Sequence, residues 1–221
     1  MDNPWTPASA AEQAWLRHWI AGPQRTRWTE LPPQIGDKAP ALDLTDENGD
    51  TSSLSAAWRN GPAVLVFLRH FGCGCAWERA QRLAGELDAL TAAGATVLAI
   101  GQGDPARTRS FKERTGLRCA ILSDEDRRGY QAFGLLDARP AQAVYGMGVA
   151  FLRRDLKAAT DFIKSRQGSG REPVDSPWQL PGEFVIDDRG VITLAYRSQY
   201  CADYANPDVL VAAIAEAKLR L

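Results

Sequence analysis

Ala63-Val64-Leu65-Val66-Phe67-Leu68 runs through Arg69-His70-Phe71 into Gly72-Cys73-Gly74-Cys75, and the rest of the chain is organised around this junction. The apolar run is short and rich in β-branched residues, which reads as a buried strand. From Ala76 onward the apolar positions Ala80, Leu83, Ala84, Leu87 and Leu90 recur on one face of a helix, and Gly94 supplies a left-handed stop. Gly72 and Gly74 let the backbone turn tightly from strand to helix, and a helix start leaves amides free to face an anion. Two cysteines therefore lie where a thiolate would be stabilised.

Outward from this junction the same rhythm continues. Ala95 to Ile100 is a second apolar run and Cys119 to Ser123 a third, with short helical stretches up to Arg114 and from Asp126 to Phe133. Such alternation signals parallel pairing with helices covering the sheet. Leu42 to Leu44 precedes it as a strand candidate, followed by a turn at Glu47-Asn48-Gly49-Asp50 and a short helix over Ser53 to Trp58. Glu183 to Ile186 and Val191 to Tyr196, separated by Asp187-Asp188-Arg189-Gly190, predict an antiparallel hairpin. The last helix opens on Asn206 as N-cap, with Pro207 at its first position and Asp208 in its first turn. Leu210, Ala213, Ile214, Ala217 and Leu221 form its packing face.

The flanking and inserted segments read differently. Ser9 to Ile20 predicts an amphipathic helix with Trp15, Leu16, Trp19 and Ile20 on its apolar face, stopped by Gly22-Pro23. Gln24 to Pro40 reads as an extended arm anchored by Trp28 and Leu31. Val149, Leu152, Leu156, Ala159 and Ile163 share a helical face, and Ser165 to Trp178 reads as a polar surface loop. That segment is too short to build much core alone. The expected organisation is an N-terminal helix and arm over residues 1–35, then one domain over 36–221 with an inserted helix and loop at about 135–180. The N-terminal segment and the insertion either cover the parent domain or join two copies into a homodimer.

Composition narrows the functional classes. Hydrophobic residues at 45% and charged residues at 24% are ordinary globular values. A formal net charge of −1 provides no overall field for nucleic acid or an anionic membrane. No apolar run approaches the roughly 20 residues needed to cross a bilayer. Met1-Asp2-Asn3-Pro4-Trp5 lacks the basic start and apolar core of a secretory signal, so a cytoplasmic location is expected. In such a reducing compartment, four cysteines are reactive, ligating or buried rather than a disulfide scaffold.

The paired cysteines between glycines favour redox chemistry over simple packing at a tight turn. Cys73, at the strand exit, is the preferred attacking thiolate, with free amides and Arg69 lowering its pKa. Cys75 then resolves an oxidised Cys73, and the reverse assignment stays open. A thiolate attacks the distal oxygen of a hydroperoxide and becomes a sulfenic acid, which a second thiol converts to a disulfide. Donors around the leaving oxygen would come from Arg69, Arg197 or Arg153. Glu78, three positions after Cys75, is placed to orient an arginine or handle a proton, or else to serve as a surface charge. Trp77 either walls the pocket or packs under the arm. Cys119 reads as a core residue, whereas Cys201, at the end of the hairpin, is a candidate remote resolving thiol. A metal site built from His70, Cys73, Cys75 and Cys201 is the alternative of a different class.

Together Ile35-Gly36-Asp37-Lys38-Ala39-Pro40, Val64 to Cys75, Ala120-Ile121-Leu122-Ser123-Asp124, Tyr130-Gln131-Ala132-Phe133-Gly134 and Gly182-Glu183-Phe184-Val185-Ile186-Asp187 carry a family resemblance. The pattern resembles the peroxiredoxin-like branch of the thioredoxin superfamily, related to alkyl hydroperoxide reductase and thiol-specific antioxidant proteins. The resemblance implies an α/β, thioredoxin-like three-layer fold with a central mixed sheet flanked by helices. It also implies thiol oxidoreductase activity without a cofactor, a small hydroperoxide or disulfide substrate, and a thioredoxin-like or low-molecular-weight thiol as reductant. Disulfide exchange without peroxidase activity, and a non-catalytic binding role, are the other readings. In two-cysteine relatives the second cysteine lies three positions after the first; here that position is Ala76, and Cys75 stands between. Pro181 is similar to the proline that borders the active site in thioredoxin folds.

Overall fold

The computed structural model describes residues 9–24, 27–143, 153, 155–169 and 171–219. Its strands are β1 (Asp43–Asp46), β2 (Thr51–Ser53), β3 (Ala63–Phe67), β4 (Thr96–Gly101), β5 (Ala120–Ser123), β6 (Gly182–Ile186) and β7 (Ile192–Arg197). They form one seven-stranded sheet in the order β2-β1-β5-β4-β3-β6-β7. β3, β4 and β5 are parallel, and the remaining pairings are antiparallel. The sheet is thus mixed, and β3 lies inside it, between β4 and β6. All five residues of β3 are buried, as expected of a strand covered on both faces.

Alternation along β3 divides the core into two layers. Val64 and Val66 pack with Leu83, Phe111 and Ile214 on one face; Leu65 and Phe67 pack with Tyr130, Phe133 and Phe184 on the other. The first face is covered by α2 (Gly74–Ala92), α3 (Pro105–Thr115) and the C-terminal α7 (Pro207–Leu219). The second is covered by α4 (Arg128–Ala132) and a 3-10 helix over Leu54–Trp58. Helices, sheet and helices make the three layers of a thioredoxin-like fold.

A third cluster joins α1 (Ala10–Ala21), α5 (Pro140–Ala143) and α6 (Leu156–Arg166) to the chain before β6. Trp15 stacks on Trp19 with ring centroids 5.2 Å apart, and Trp19 stacks on Trp178 at 5.0 Å. Trp178 also donates its indole N–H to the His18 carbonyl at 2.5 Å. The capping box of Ser9 and Glu12 starts α1 and draws Glu12 inside.

Several expectations need correction. Ile20 points outward at 54% exposure, and Leu31, at 88%, anchors nothing. Trp28 does hold the arm, donating to the Gly134 carbonyl at 2.6 Å while Pro32 packs over Gly134. Ser165 to Trp178 is not wholly a surface loop, because Val174, Ser176 and Trp178 are buried. Leu156 is exposed while Ala159 and Ile163 are buried; Val149, Leu152 and Leu221 lie outside the described residues. β2 had no expectation at all, since a three-residue polar edge strand has no apolar alternation to show.

Candidate active site

The strand exit is fixed by close packing. Leu68 N–H still donates to the Ile100 carbonyl at 2.8 Å, so β3 ends in register, and Cys73 N–H then closes a turn onto His70 O at 2.9 Å. Cys73 is the N-cap residue of α2, with extended dihedrals (φ −78°, ψ 132°). A Cβ at Gly72 would stand 2.0 Å from the Glu172 carbonyl oxygen, so only glycine lets the segment before β6 lie on the turn. Phe71 stacks on Phe111 at 4.2 Å, and Trp77 donates to Phe71 O at 2.7 Å. Trp77 therefore packs on α3, not under the arm.

The turn opens into a cavity of about 310 Å³. Cys73, Cys75 and Cys201 line it, beside Arg69 and Arg166. Trp15 and Trp19 from α1 and Phe162 from α6 form an apolar wall. None of the four cysteines is in a disulfide. Cys201 is delivered by the segment after β7, where Tyr204 donates its hydroxyl to the Cys75 carbonyl at 2.7 Å and Cys201 N–H bonds to Gln142 O at 3.1 Å. Asp203 braces this segment by accepting from Tyr196 at 2.5 Å and from Gln199 N–H at 2.7 Å.

The sulfurs divide a proton and a charge unequally. Hydrogen bonding from Cys75 holds the Cys73 thiol well below its ordinary range, with the Arg69 charge adding to the effect and prevailing together over desolvation. The Cys75 thiol is pushed far up by hydrogen bonding to Cys201 first, then to Cys73, and by burial. Of the two sulfurs, Cys73 is therefore the one on which negative charge is favoured.

Arg69 is buried and donates Nη2 to Pro177 O at 2.7 Å and Nη1 to Gln179 O. Its Nε has no hydrogen-bond partner among the described residues. Burial and the neighbouring Arg69 charge hold His70 well below the usual imidazole value, so it is neutral. Burial and Arg171 lower the Arg166 pKa, against which the Cys73 charge acts.

The remaining expected residues are distributed as follows. Glu78 lines the cavity but is paired with Arg82 at 2.7 Å, with both side chains about half exposed, so it is a rim charge. Arg197 is not brought to the cysteines. It donates Nε to Phe133 O at 2.9 Å and Nη2 to Pro33 O at 2.5 Å, and it borders a different cavity of about 580 Å³. Arg153 is exposed. Burial raises the Cys119 thiol to about 11, consistent with a side chain packed against the core. Among the described residues no group of three or more His, Cys, Asp or Glu side chains is arranged to hold a metal ion. Sequence reading did not assign Trp15, Trp19, Phe162 or Arg166 to the site; the aromatic stripe of α1 and the basic last turn of α6 were the available signals.

The chain is 29% identical to the chloroplastic thioredoxin-like protein AAED1 of Arabidopsis thaliana, over 65% of this chain and 52% of that one. It therefore spans about half the length of that relative. A putative peroxiredoxin of Mycobacterium tuberculosis is 33% identical over 49% of this chain and 68% of its own. Peroxiredoxin Bcp of Escherichia coli is 33% identical over 47% of this chain and 66% of its own. Among solved structures, the peroxidoxin BcpB of Mycobacterium tuberculosis superposes with a TM-score of 0.59 at 18% identity, covering 83% of this chain and 97% of that one. A thiol peroxidase from Chromobacterium violaceum gives 0.55 at 17% identity, covering 85% and 90%. The sequence model of the AhpC/TSA family matches residues 35–195, from the arm to β7, and the chain belongs to that family.

Proposed function

We propose that this protein is a thiol-dependent oxidoreductase that reduces hydroperoxides, with Cys73 as the attacking sulfur and Cys75 as its first resolving partner. The observation that carries this reading is the gathering of Cys73, Cys75 and Cys201 on one cavity wall beside the buried Arg69 guanidinium, where hydrogen bonding lowers the Cys73 pKa and raises that of Cys75. Family membership supports it. The apolar wall of Trp15, Trp19 and Phe162 gives the carbon part of an organic hydroperoxide a surface to lie on.

The chemistry follows from these positions. Cys73 Sγ attacks the distal oxygen, the O–O bond breaks, and negative charge grows on the leaving oxygen in the cavity that the Arg69 guanidinium lines. That oxygen takes the Cys75 proton and departs as an alcohol, leaving Cys73 as a sulfenic acid and Cys75 as a thiolate. The high pKa of Cys75 depends partly on the adjacent Cys73 thiolate, which oxidation abolishes. Cys75 then attacks Cys73 sulfur and expels hydroxide, which leaves as water after taking a solvent proton. A low-molecular-weight thiol or a thioredoxin-type dithiol restores the pair. A reducing cytoplasm is the compartment that would keep the site cysteines as thiols, the state the first step needs. No helix among the described residues is long and apolar enough to cross a membrane.

The test is anaerobic stopped-flow mixing of the reduced protein with cumene hydroperoxide, followed by peptide mass spectrometry. The expected result is stoichiometric alcohol formation with oxidation at Cys73. An untouched Cys73 and no peroxide loss would remove the peroxidase reading.

A further inference from the structure

Cys75 has a sulfur neighbour on each side, Cys73 and Cys201, and all three lie on the wall of one cavity. A bond to each neighbour makes different demands on the chain. Cys73 is the extended N-cap and Cys75 lies in the first turn of α2, two positions on, with their side chains in hydrogen-bonding contact. Closing that small ring distorts the first turn of α2, where Ala76 and Trp77 N–H groups donate to Cys73 O at 3.1 and 3.4 Å. A disulfide formed under such constraint is oxidising and labile.

Cys201 arrives instead from a separate segment already clamped to the same turn. Tyr204 ties that segment to the Cys75 carbonyl. Ala205 N–H bonds to Glu183 Oε2 at 3.2 Å, and Glu183 is itself paired with Arg79 of α2 at 2.5 Å. The approach of Cys201 to Cys75 is therefore built into the folded chain and leaves the first turn of α2 wound.

Building on the hydroperoxide-reductase reading, we propose that Cys201 is the terminal sulfur of a three-thiol relay, receiving the disulfide from Cys73–Cys75 to give Cys75–Cys201 and a free Cys73. Cys201 loses its proton to solvent as its sulfur bonds to Cys75, and the electron pair of the Cys73–Cys75 bond leaves on Cys73. Cys73 is the favoured leaving group, because the Arg69 guanidinium and the Cys75 backbone N–H still stabilise its thiolate once Cys75 has no proton to share. Nothing is oxidised or reduced overall: one disulfide is exchanged for another. The external thiol then reduces Cys75–Cys201 while the peroxide-reactive sulfur is already reset.

The bonds can be located because trypsin separates the sulfurs: Cys73 and Cys75 fall in the peptide 70–79 and Cys201 in the peptide 198–218. The whole protein is oxidised with one equivalent of cumene hydroperoxide, or separately with the azo oxidant diamide. Samples are quenched in acid over time and alkylated with N-ethylmaleimide in denaturant at low pH. The expected sequence is an early bond within 70–79, replaced by a crosslink between 70–79 and 198–218 with the maleimide on Cys73. The Cys201→Ser variant is expected to stop at the first species. Persistence of the Cys73–Cys75 bond in the wild-type protein, with Cys201 alkylated throughout after either oxidant, overturns the relay. A crosslink after diamide with no reaction toward peroxide upholds the relay and defeats the peroxidase reading instead.

Discussion

Replacing Cys75 by alanine tests the charge division at its source. The Cys75 thiol is the largest stabiliser of the Cys73 thiolate, ahead of the Arg69 charge. A hydrogen bond to an ionised group contributes about 1.5–3 kcal/mol, and one pKa unit corresponds to about 1.4 kcal/mol. Cys75→Ala is therefore expected to raise the Cys73 pKa by about 1–2 units. Cys75→Ser, which retains an O–H donor, should raise it less. The assay is the pH dependence of iodoacetamide alkylation at Cys73, read by fragmenting the peptide 70–79 so that modification at Cys75 in the wild-type protein is counted separately. Cys201 is buried and lies in another peptide, so it does not contribute to the signal. An unchanged midpoint in Cys75→Ala would refute the reasoning and transfer the stabilisation to Arg69 and the helix amides.

Three further outcomes follow from the packing. The folded Cys73 pKa lies below the unfolded value of about 8.5, so its contribution to stability is fully present above about pH 8.5 and fades as pH falls through the folded value. Urea titrations of the reduced wild-type protein and Cys73→Ser should therefore diverge in favour of wild type as pH rises from about 5 to 8.5; a constant gap would contradict the depressed pKa. Glu183 and Arg79 are each 3% exposed and paired at 2.5 Å, so Glu183→Ala should cost about 3–5 kcal/mol in a denaturant titration by stranding a buried guanidinium. A loss under about 1 kcal/mol would show that Glu86, at 2.8 Å from Arg79, is sufficient alone. Gly72→Ala drives a methyl into Glu172 O and should slow Cys73 alkylation by displacing the segment before β6; a wild-type rate would show that the turn yields without cost.

The parts of the fold legible in the sequence were those with strong periodicity or strong local chemistry. β3, β4 and β5 announced themselves as apolar runs, α2 by its one-sided spacing, and α7 by Asn206-Pro207-Asp208, whose N-cap side chain accepts from Asp208 N–H at 2.9 Å. The Cys-Gly-Cys junction was legible for the same reason. What escaped were long-range placements that local pattern does not encode. Arg197 looked available because it ends a hairpin, yet two backbone carbonyls occupy it. Arg69, close to the cysteines in sequence, is held by carbonyls more than 100 positions away. Glu183 carried no sign of its buried partner, since Arg79 lies 104 positions away in the chain. The order Trp15, Trp19, Trp178 emerges only when the segment before β6 returns beneath α1.

That indole stack has an optical consequence. Trp15 and Trp19 share a cavity wall with all three site sulfurs, and sulfur quenches indole emission through electron transfer, with disulfides more effective than thiols. Oxidation at the turn should therefore dim the intrinsic fluorescence without any added dye. The first helix thus roofs the site and also supplies a built-in lamp for following turnover in real time.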